Sequence, residues 1–508
     1  MAPDAKIKSI AALAAALEPL RAQGKSLVHC HGVFDLVHIG HIKHLQAAKR
    51  IGDILLVTLT PDRFVNKGPS RPAFPQHLRA EALAALACVD FVAINEWPTA
   101  VETIQMLKPS VFVKGTAPGQ GKRDHADGFS LEEQAIKAVG GRLVLTEEET
   151  YSASALINRH FDAFSPEARL FLEDFRTRHT PEKVVECLQG IKSLRVLAVG
   201  ETIIDEYVFC SVMAKANKDP ILAARYLYSN KYAGGILAIG NHLAGFCERV
   251  GLLSMLGEEE PQEDFIASAL NPKIHTHFLR KPGSPTIVKR RFLEEYMAVK
   301  LFEVYVMRHE RLAPQEDAAF CARLEQLLPE YDVVVVADYG HGLLTERAVQ
   351  LVCEKSKFLA VNAQTNAGNK GFNFISKYPR ADYVSIDEPE ARLEARNFLG
   401  DPRELIDAIR RKMDCGKFLI TRGKKGCICY DVASGFVEIP AFAVKLVDRM
   451  GAGDAVLALT APCVAQGVPM PMVGFIGNMV GAEACSIMGN ERAIDPSSLY
   501  RHITSIVK

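Results

Sequence analysis

From Ser26 to about Leu145, short apolar runs alternate with segments whose apolar residues recur every three or four positions. SLVHCH, DILLVTLT, DFVAIN, SVFVKG and RLVLT have the length and apolar content of strands. Between them, IKHLQAAKRIG, HLRAEALAALACV, AVETIQMLK and SLEEQAIKAVGG have helical spacing. Continuous apolar strands imply a parallel sheet covered on both faces, so residues 26–160 are expected to form a doubly wound α/β domain. Ahead of it, residues 1–25 carry Ala and Leu at amphipathic spacing and predict an N-terminal helix. Residues 161–193 carry charge at helical spacing without a strand signal and predict a helical linker. The cadence restarts at LRVLAVGETIIDEY and runs on through YDVVVVADYG, KFLAVNA, ADYVSID and KFLITRG, which predicts a second α/β domain over 194–508. No internal repeat or low-complexity segment is visible.

Two domains also suit a chain of 508 residues, which exceeds what one hydrophobic core usually supports. With 48% apolar and 24% charged residues it has the balance of a globular protein. Its 60 basic and 60 acidic residues cancel, which gives no overall electrostatic case for nucleic acid or an anionic membrane. Any bound anion must then be held by a local site. The 12 cysteines are scattered without a CxxC pair, the usage of a reducing cytoplasm. No apolar run approaches the ~20 residues of a membrane span, and acidic residues flank the N-terminal Ala/Leu run, unlike a signal peptide.

HCHGVFDLVHIGHIKHL, residues 29–45, is the first stretch with chemistry of its own. Gly32 follows an apolar strand and a helical pattern begins just after Gly40, so His38 and His41 fall at a strand-to-helix turn. Unpaired N–H groups and the helix dipole attract anions there, and Gly40 lets a phosphate approach the backbone. Two imidazoles can stabilise charge gathering on a pentacoordinate phosphorus and its leaving pyrophosphate. A zinc site would want further ligands beyond these two and Asp35. His29 and His31 alternate along a strand, where one can be a hydrogen-bonded core residue, and His44 is expected on the solvated helix face.

GVFDLVHIGHIKHL resembles the signature of the cytidylyltransferase-like nucleotidyltransferases, whose strand, GxFDxxHxGH turn and helix hold a nucleoside triphosphate. NKGPSRPAF, LRAEALAALACVDFV, KPSVFVKG and TYSASALINR extend the likeness to the nucleotidyltransferase half of bacterial heptose-phosphate kinase/adenylyltransferases. The resemblance implies that Gly32, Val33, Phe34, Asp35 and Gly40 form the nucleotide turn and that His38 and His41 contact the triphosphate. By the same likeness Lys67 and Arg71 close over phosphates, Arg79 sets base or ribose contacts, and Lys114 lies at the ligand end of a strand. Ser152 and Ser154 would cap the phosphates, although TYSAS stands where a Ser/Thr run with glycine is usual.

VKLVDRMGAGDAVLAL places Gly451, Ala452, Gly453 and Asp454 between an apolar strand and an apolar helix. Glycines expose N–H groups that can neutralise a migrating phosphoryl group, and Asp454 can take the proton of an attacking hydroxyl. A plain strand-turn-helix with Asp454 as an N-terminal cap is the alternative. VGETIIDEY, AGGILAIGNHLA, VVVADYGHGLLT, SIDEPE, LITRGKKG and DRMGAGD together resemble the ribokinase-like carbohydrate kinases, with a small β lid. That likeness implies Asp205, Gly234, Gly235 and Asn241 on the sugar, with Lys289 and Asp338 as further pocket residues. It implies Thr421, Arg422 and Gly423 on the ATP phosphates, Asp454 as general base, and Glu390 with Asp387 organising Mg²⁺ through water. Asp387 stands where Asn is frequent, Glu201 where Asp is usual, and DPILAARYLY replaces a lid segment PVPVV.

A kinase making a sugar phosphate supplies a nucleotidyltransferase that activates it. The expected function is therefore bifunctional nucleotide-sugar synthesis: ATP-dependent sugar phosphorylation, then nucleotidyl transfer from CTP or ATP to a sugar 1-phosphate with release of pyrophosphate. The two halves stand in the reverse of the order usual in the heptose enzymes. A second reading keeps the transferase and makes the kinase-like half a sugar-binding or oligomerisation module; a third makes both domains regulatory sensors. Mg²⁺ is the expected cofactor. The partners expected are a sugar, a sugar phosphate and nucleoside triphosphates, with no nucleic acid or membrane, in a cytoplasmic dimer or larger homo-oligomer.

Overall fold

A computed structural model describes residues 3–65, 72–116, 128–147, 164–296, 298–442 and 446–507. The chain divides into two compact units, one of residues 1–165 with 500–508 and the other of residues 166–499. Lys67, Arg71, Ser152 and Ser154 lie outside the described residues.

The first unit holds strands β1 (Leu27–Gly32), β2 (Ile54–Leu59), β3 (Phe91–Ile94), β4 (Val111–Thr116) and β5 (Arg142–Glu147) in one sheet of order β3-β2-β1-β4-β5. Every pairing is parallel. Helices cover both faces because side chains alternate along each strand. Val28 and Cys30 of β1 pack with Leu45, Ala48 and Leu83 on one side, whereas Leu27 and Leu56 pack with Leu13 and Leu17 on the other. The N-terminal pattern forms a short helix, Pro3–Lys6, and then Ile10–Ala22, whose start is capped by Ser9. The strand order reverses between β1 and β4, and such a reversal opens a crevice at the C-terminal strand ends, where Gly32 lies.

The second unit contains β6 (Arg195–Gly200), β7 (Thr202–Lys215), β8 (Leu222–Gly235), β9 (Arg249–Glu259), β10 (Ile274–Pro285), β11 (Ile287–Glu294) and β12 (Val299–Val306). It continues with β13 (Val333–Asp338), β14 (Leu359–Ala363), β15 (Tyr383–Asp387), β16 (Lys417–Thr421), β17 (Cys427–Asp431) and β18 (Gly435–Ile439). Nine of these form a sheet of order β10-β9-β6-β13-β14-β15-β16-β17-β18, antiparallel only at β17 and β18. The other four form the lid, β12-β11-β7-β8. DPILAARYLY falls in and just before β8, so the segment that departs from the expected lid sequence is still lid.

The helices Pro166–Arg178 and Pro181–Gly190, within the stretch expected as a linker, belong to the second unit. Phe175 is buried there, its ring 4.4 Å from that of Phe475. Phe171 extends the stack to Phe442. Replacing a buried aromatic by alanine costs about 3–5 kcal/mol through lost burial and the cavity left behind. Phe175→Ala is therefore expected to lower the urea midpoint of the far-UV circular dichroism transition. The sole tryptophan, Trp97, lies in the first unit and reports on that unit by fluorescence. A shift confined to Trp97 fluorescence would place the helices with the wrong unit.

Candidate functional site

In the first unit His38 is the N-cap of the helix Ile39–Lys49, and its Nδ1 accepts the Gly40 N–H at 3.1 Å. Burial pulls its pKa below the usual value, so the ring is neutral near pH 7. A neutral imidazole that accepts at Nδ1 carries its proton on Nε2. That nitrogen is buried and has no partner among the described residues. The cap thus fixes the tautomer that turns His38 into a donor at a helix N-terminus. The His41 ring lies 4.0 Å from it, centroid to centroid, and packs edge-on against Phe34 at 5.4 Å. Phe34 holds a φ of 49°, a left-handed conformation that costs a bulky residue energy and turns the chain sharply out of β1.

Asp35 does not face outward: its Oδ1 accepts the N–H groups of Ala73 at 2.6 Å and Phe74 at 3.3 Å. Arg79, expected at the base or ribose, is buried and spends its guanidinium on the chain itself. It donates to the carbonyls of Val33, Phe74 and Thr60 and to Asp62. With its own side chain buried and its donors spent on three carbonyls and a carboxylate, this arginine clamps the turn. Lys114 lies in the C-terminal half of β4, two residues before its end, ion-paired to Glu132. His29 is a core residue bonded to Thr58 at 2.7 Å, and burial drops its pKa to about 3. His31 bonds the same hydroxyl. His44, expected on the solvated face, is half-buried, and its Nδ1 lies 2.7 Å from Thr146 Oγ1.

In the second unit Gly451, with φ 77°, caps the helix Ala452–Ala465. A Cβ there would lie 2.0 Å from Asn490 Oδ1, so only glycine fits. Gly453 has open space where its Cβ would be. Asp454, in the first helical turn, is buried and accepts the Tyr339 hydroxyl at 2.9 Å. Burial raises its pKa to about 7, with Asp205 adding to the rise and the Tyr339 hydrogen bond and Lys289 opposing it.

Asp205 and Lys289 face each other across the β7–β11 pairing. Asp205 is buried and ion-paired to Arg291. A Cβ at Gly234 would lie 2.4 Å from Asp205 Oδ2, so that glycine makes the room the carboxylate occupies. Gly235 turns the chain from β8 into the helix Ile236–Phe246 with a φ of 54°. Burial depresses the pKa of Lys289, whose ammonium lies over the Tyr305 ring at 5.2 Å and the Tyr339 ring at 5.7 Å.

Two residues expected on the sugar are committed elsewhere. The Asn241 amide donates to the Ala269 carbonyl at 2.9 Å and its oxygen accepts the Asn271 N–H at 2.8 Å, so it bridges the end of the helix Glu263–Ala269. Asp338 is buried under the Tyr378 hydroxyl at 2.6 Å, the Gly340 N–H, the Asn373 amide and the Lys377 ammonium. Its carboxylate is fully paired inside the protein.

Thr421 ends β16, and Gly423 takes a φ of 54° with open space beside it. Arg422 pairs with Glu388 at 3.3 Å and Glu438 at 3.0 Å. Asp387 and Glu390 form a capping box: each carboxylate accepts the other's backbone N–H, at 2.8 and 2.9 Å, and Glu390 also accepts the Thr365 N–H. These are hard oxygen donors held in fixed orientation, and a hydrated Mg²⁺ suits them better than a directly bound one.

Sequence reasoning passed over Tyr339, Arg291 and Asp448. Tyr339 stands inside the quoted ADYGHG, and Arg291 alternates with Lys289, so VKRRF shows two cations on one face of a strand. Asp448 collects the Tyr207 hydroxyl at 2.5 Å, the Lys300 ammonium at 2.6 Å and the N–H groups of Met450 and Gly489. It shapes the approach to the glycine turn.

Residues 194–495 match the family model of the pfkB carbohydrate kinases. The chain belongs to the pfkB family of carbohydrate kinases. Residues 29–159 match the cytidylyltransferase-like model. A "Bifunctional protein HldE" of Geobacter metallireducens is 38% identical over 167 residues, 32% of this chain and 33% of that protein. Its counterpart in Geotalea uraniireducens is 42% identical over 144 residues, 28% of each chain. The match therefore spans about a third of these curated relatives. Phosphofructokinase-2 from Escherichia coli, solved in complex with potassium, shares the fold at a TM-score of 0.50 and 14% identity, over 61% of this chain and 99% of its own.

A carboxylate must be ionised to accept a proton, so a base at Asp454, with its raised pKa, would lose function in the neutral range. Phosphorylation by this pfkB unit is expected to rise about tenfold per pH unit up to about 7 and to level off above it. A pH–rate profile at saturating nucleotide checks this, and an acid limb near 4 would contradict it.

Proposed function

We propose that the chain is a bifunctional enzyme of nucleotide-sugar synthesis, in which each unit performs one of two consecutive transfers. The observation that carries this reading is Asp454, buried in the first turn of a helix behind the Gly451–Gly453 turn and facing the Asp205–Lys289 pair. In the kinase step a sugar hydroxyl loses its proton to Asp454 as its oxygen bonds to the γ-phosphorus of ATP. The bond from that phosphorus to the β-bridging oxygen breaks and ADP leaves. The N–H groups around Gly453, with Thr421 and Gly423, neutralise the migrating group, and Asp205 with Gly234 and Gly235 holds the sugar. Mg²⁺, when bound, spreads the charge of the phosphates, and Asp387 and Glu390 would hold its water shell.

In the second step an oxygen of a sugar 1-phosphate attacks the α-phosphorus of CTP or ATP, and pyrophosphate leaves. The attacking oxygen is already anionic, so no strong base is required. Alignment and charge neutralisation carry the rate. His38 donates from Nε2, His41 stacks beside it, and Lys67 and Arg71 close over the phosphates. The naming of the relatives as bifunctional, together with the likeness to heptose-phosphate kinase/adenylyltransferases, supports a heptose-like sugar. The lid exposes Met213, Ile221, Leu222, Tyr226 and Phe302, which supports pairing of two chains. No helix among the described residues is long and apolar enough to cross a membrane. The scattered free cysteines support a cytoplasmic enzyme.

Separate sites predict separable losses. His41→Ala is expected to lower pyrophosphate release by roughly 10²–10³-fold and to leave sugar-dependent ADP formation intact. Asp454→Asn is expected to lower ADP formation by roughly 10²–10⁴-fold and to leave pyrophosphate release from supplied sugar 1-phosphate intact. Mass spectrometry of products from each nucleoside triphosphate with a sugar panel names the substrates. Loss of both activities in either variant would overturn the two-site reading.

A further inference from the structure

Tyr339 belongs to a turn, residues 338–342, that is held from several directions. On one side the Glu201 carboxylate accepts the N–H groups of Tyr339 at 3.0 Å and His341 at 2.9 Å. On another, the segment QTNAGNKGFN supplies three asparagine amides: Asn366 and Asn369 donate to the Tyr339 carbonyl at 2.7 and 3.1 Å, and Asn373 to the Asp338 carbonyl at 2.8 Å. Gly340 and Gly342 take positive φ angles of 70° and 93°, and a Cβ at Gly340 would lie 2.6 Å from Asn369 Nδ2. Burying this many polar groups is costly unless each is paired. What the turn presents in return is one buried phenol, whose hydroxyl donates to Asp454 Oδ1.

We propose that Tyr339 is a positioning residue for Asp454: its hydroxyl holds Oδ1 and directs Oδ2 to the substrate hydroxyl. This rests on the reading of Asp454 as the kinase base. The hydroxyl is suited to the task because burial and the neighbouring carboxylates push its own pKa well above 10, so it donates at every working pH. A hydrogen bond to the charged form of an acid favours that form. The groups facing Asp454 are Tyr339 from the turn after β13, Asp205 from β7 and Lys289 from β11. Arg291 neutralises Asp205. His341 is kept neutral by burial, with a pKa lowered to about 3. Glu201 titrates upward through burial and Asp338, but it touches the turn's backbone and not the hydroxyl. A limb set by Glu201 would therefore not move when the hydroxyl is removed.

The test is the pH–rate profile of sugar-dependent ADP formation for the full chain and for Tyr339→Phe, which deletes only the hydroxyl. The acid limb is expected to move up by about one pH unit, since a hydrogen bond to a charged group is worth about that much. Activity at pH 6 then falls about tenfold, and activity on the alkaline plateau stays within about threefold. Replacing Tyr339 with 3-fluorotyrosine, a stronger donor of nearly the same shape, is expected to move the limb down, and it stands in if the Phe variant fails to fold. A limb that stays put, whether or not the plateau falls, overturns the proposal. Asp454→Asn in the same series separates the two claims: if it keeps full activity the base itself is misassigned. If it is inactive while the Tyr339 variants leave the limb unmoved, only the role of Tyr339 fails.

Discussion

An α-helix cannot satisfy its first backbone N–H groups from within, and both sites of this chain are built on that deficit. In the first unit His38 takes one of these N–H groups through Nδ1 and is left with a proton on Nε2. In the second, Gly451 brings the chain round with a positive φ so that the amides near Gly453 lie beside open space. In the proposed reading a phosphate would supply what each helix lacks, from the backbone, before any cationic side chain contributes.

The cationic and acidic side chains nearby do different work. Arg79 and Asp35 are turned inward and fix the path of the turn. Asp338 and Asn241 are likewise consumed in holding loops together. Around Asp454, by contrast, pairing is incomplete: one hydroxyl faces it, the nearest ammonium lies over aromatic rings, and the second acid is already neutralised by Arg291. Burial without full pairing is what leaves the carboxylate near neutrality in its titration, the condition a general base needs.

Much of this could be seen in the amino-acid order. The runs SLVHCH, DILLVTLT, DFVAIN, SVFVKG and RLVLT all became strands of one parallel sheet, because a sheet covered on both faces demands apolar residues at consecutive positions. The positions of His38 and His41 at a strand-to-helix turn, and of Asp454 in the first turn of a helix, were legible for the same reason: glycine marks the turn and periodicity marks the helix, although residues 446–450 ahead of Gly451, expected as the end of an apolar strand, form no strand. The fate of individual polar side chains was not. Whether Arg79 meets a ribose or three carbonyls depends on residues 33, 60 and 74 converging in space, and nothing local to position 79 encodes that. Tyr339 was missed likewise, since its partner stands over a hundred residues away in the chain. The helices of residues 166–190 looked like a connector because their charge pattern is plain, while the aromatic stack that seats Phe175 is assembled from distant segments.

The space that Gly234 leaves for Asp205 has a consequence for how such a chain can drift over generations. A single extra methyl at that position would displace the acid, and on the proposed reading would disable sugar phosphorylation while every residue of the other unit stayed as it was. On that reading, a lineage that acquired its sugar already phosphorylated could silence one of the two transfers by a single nucleotide change.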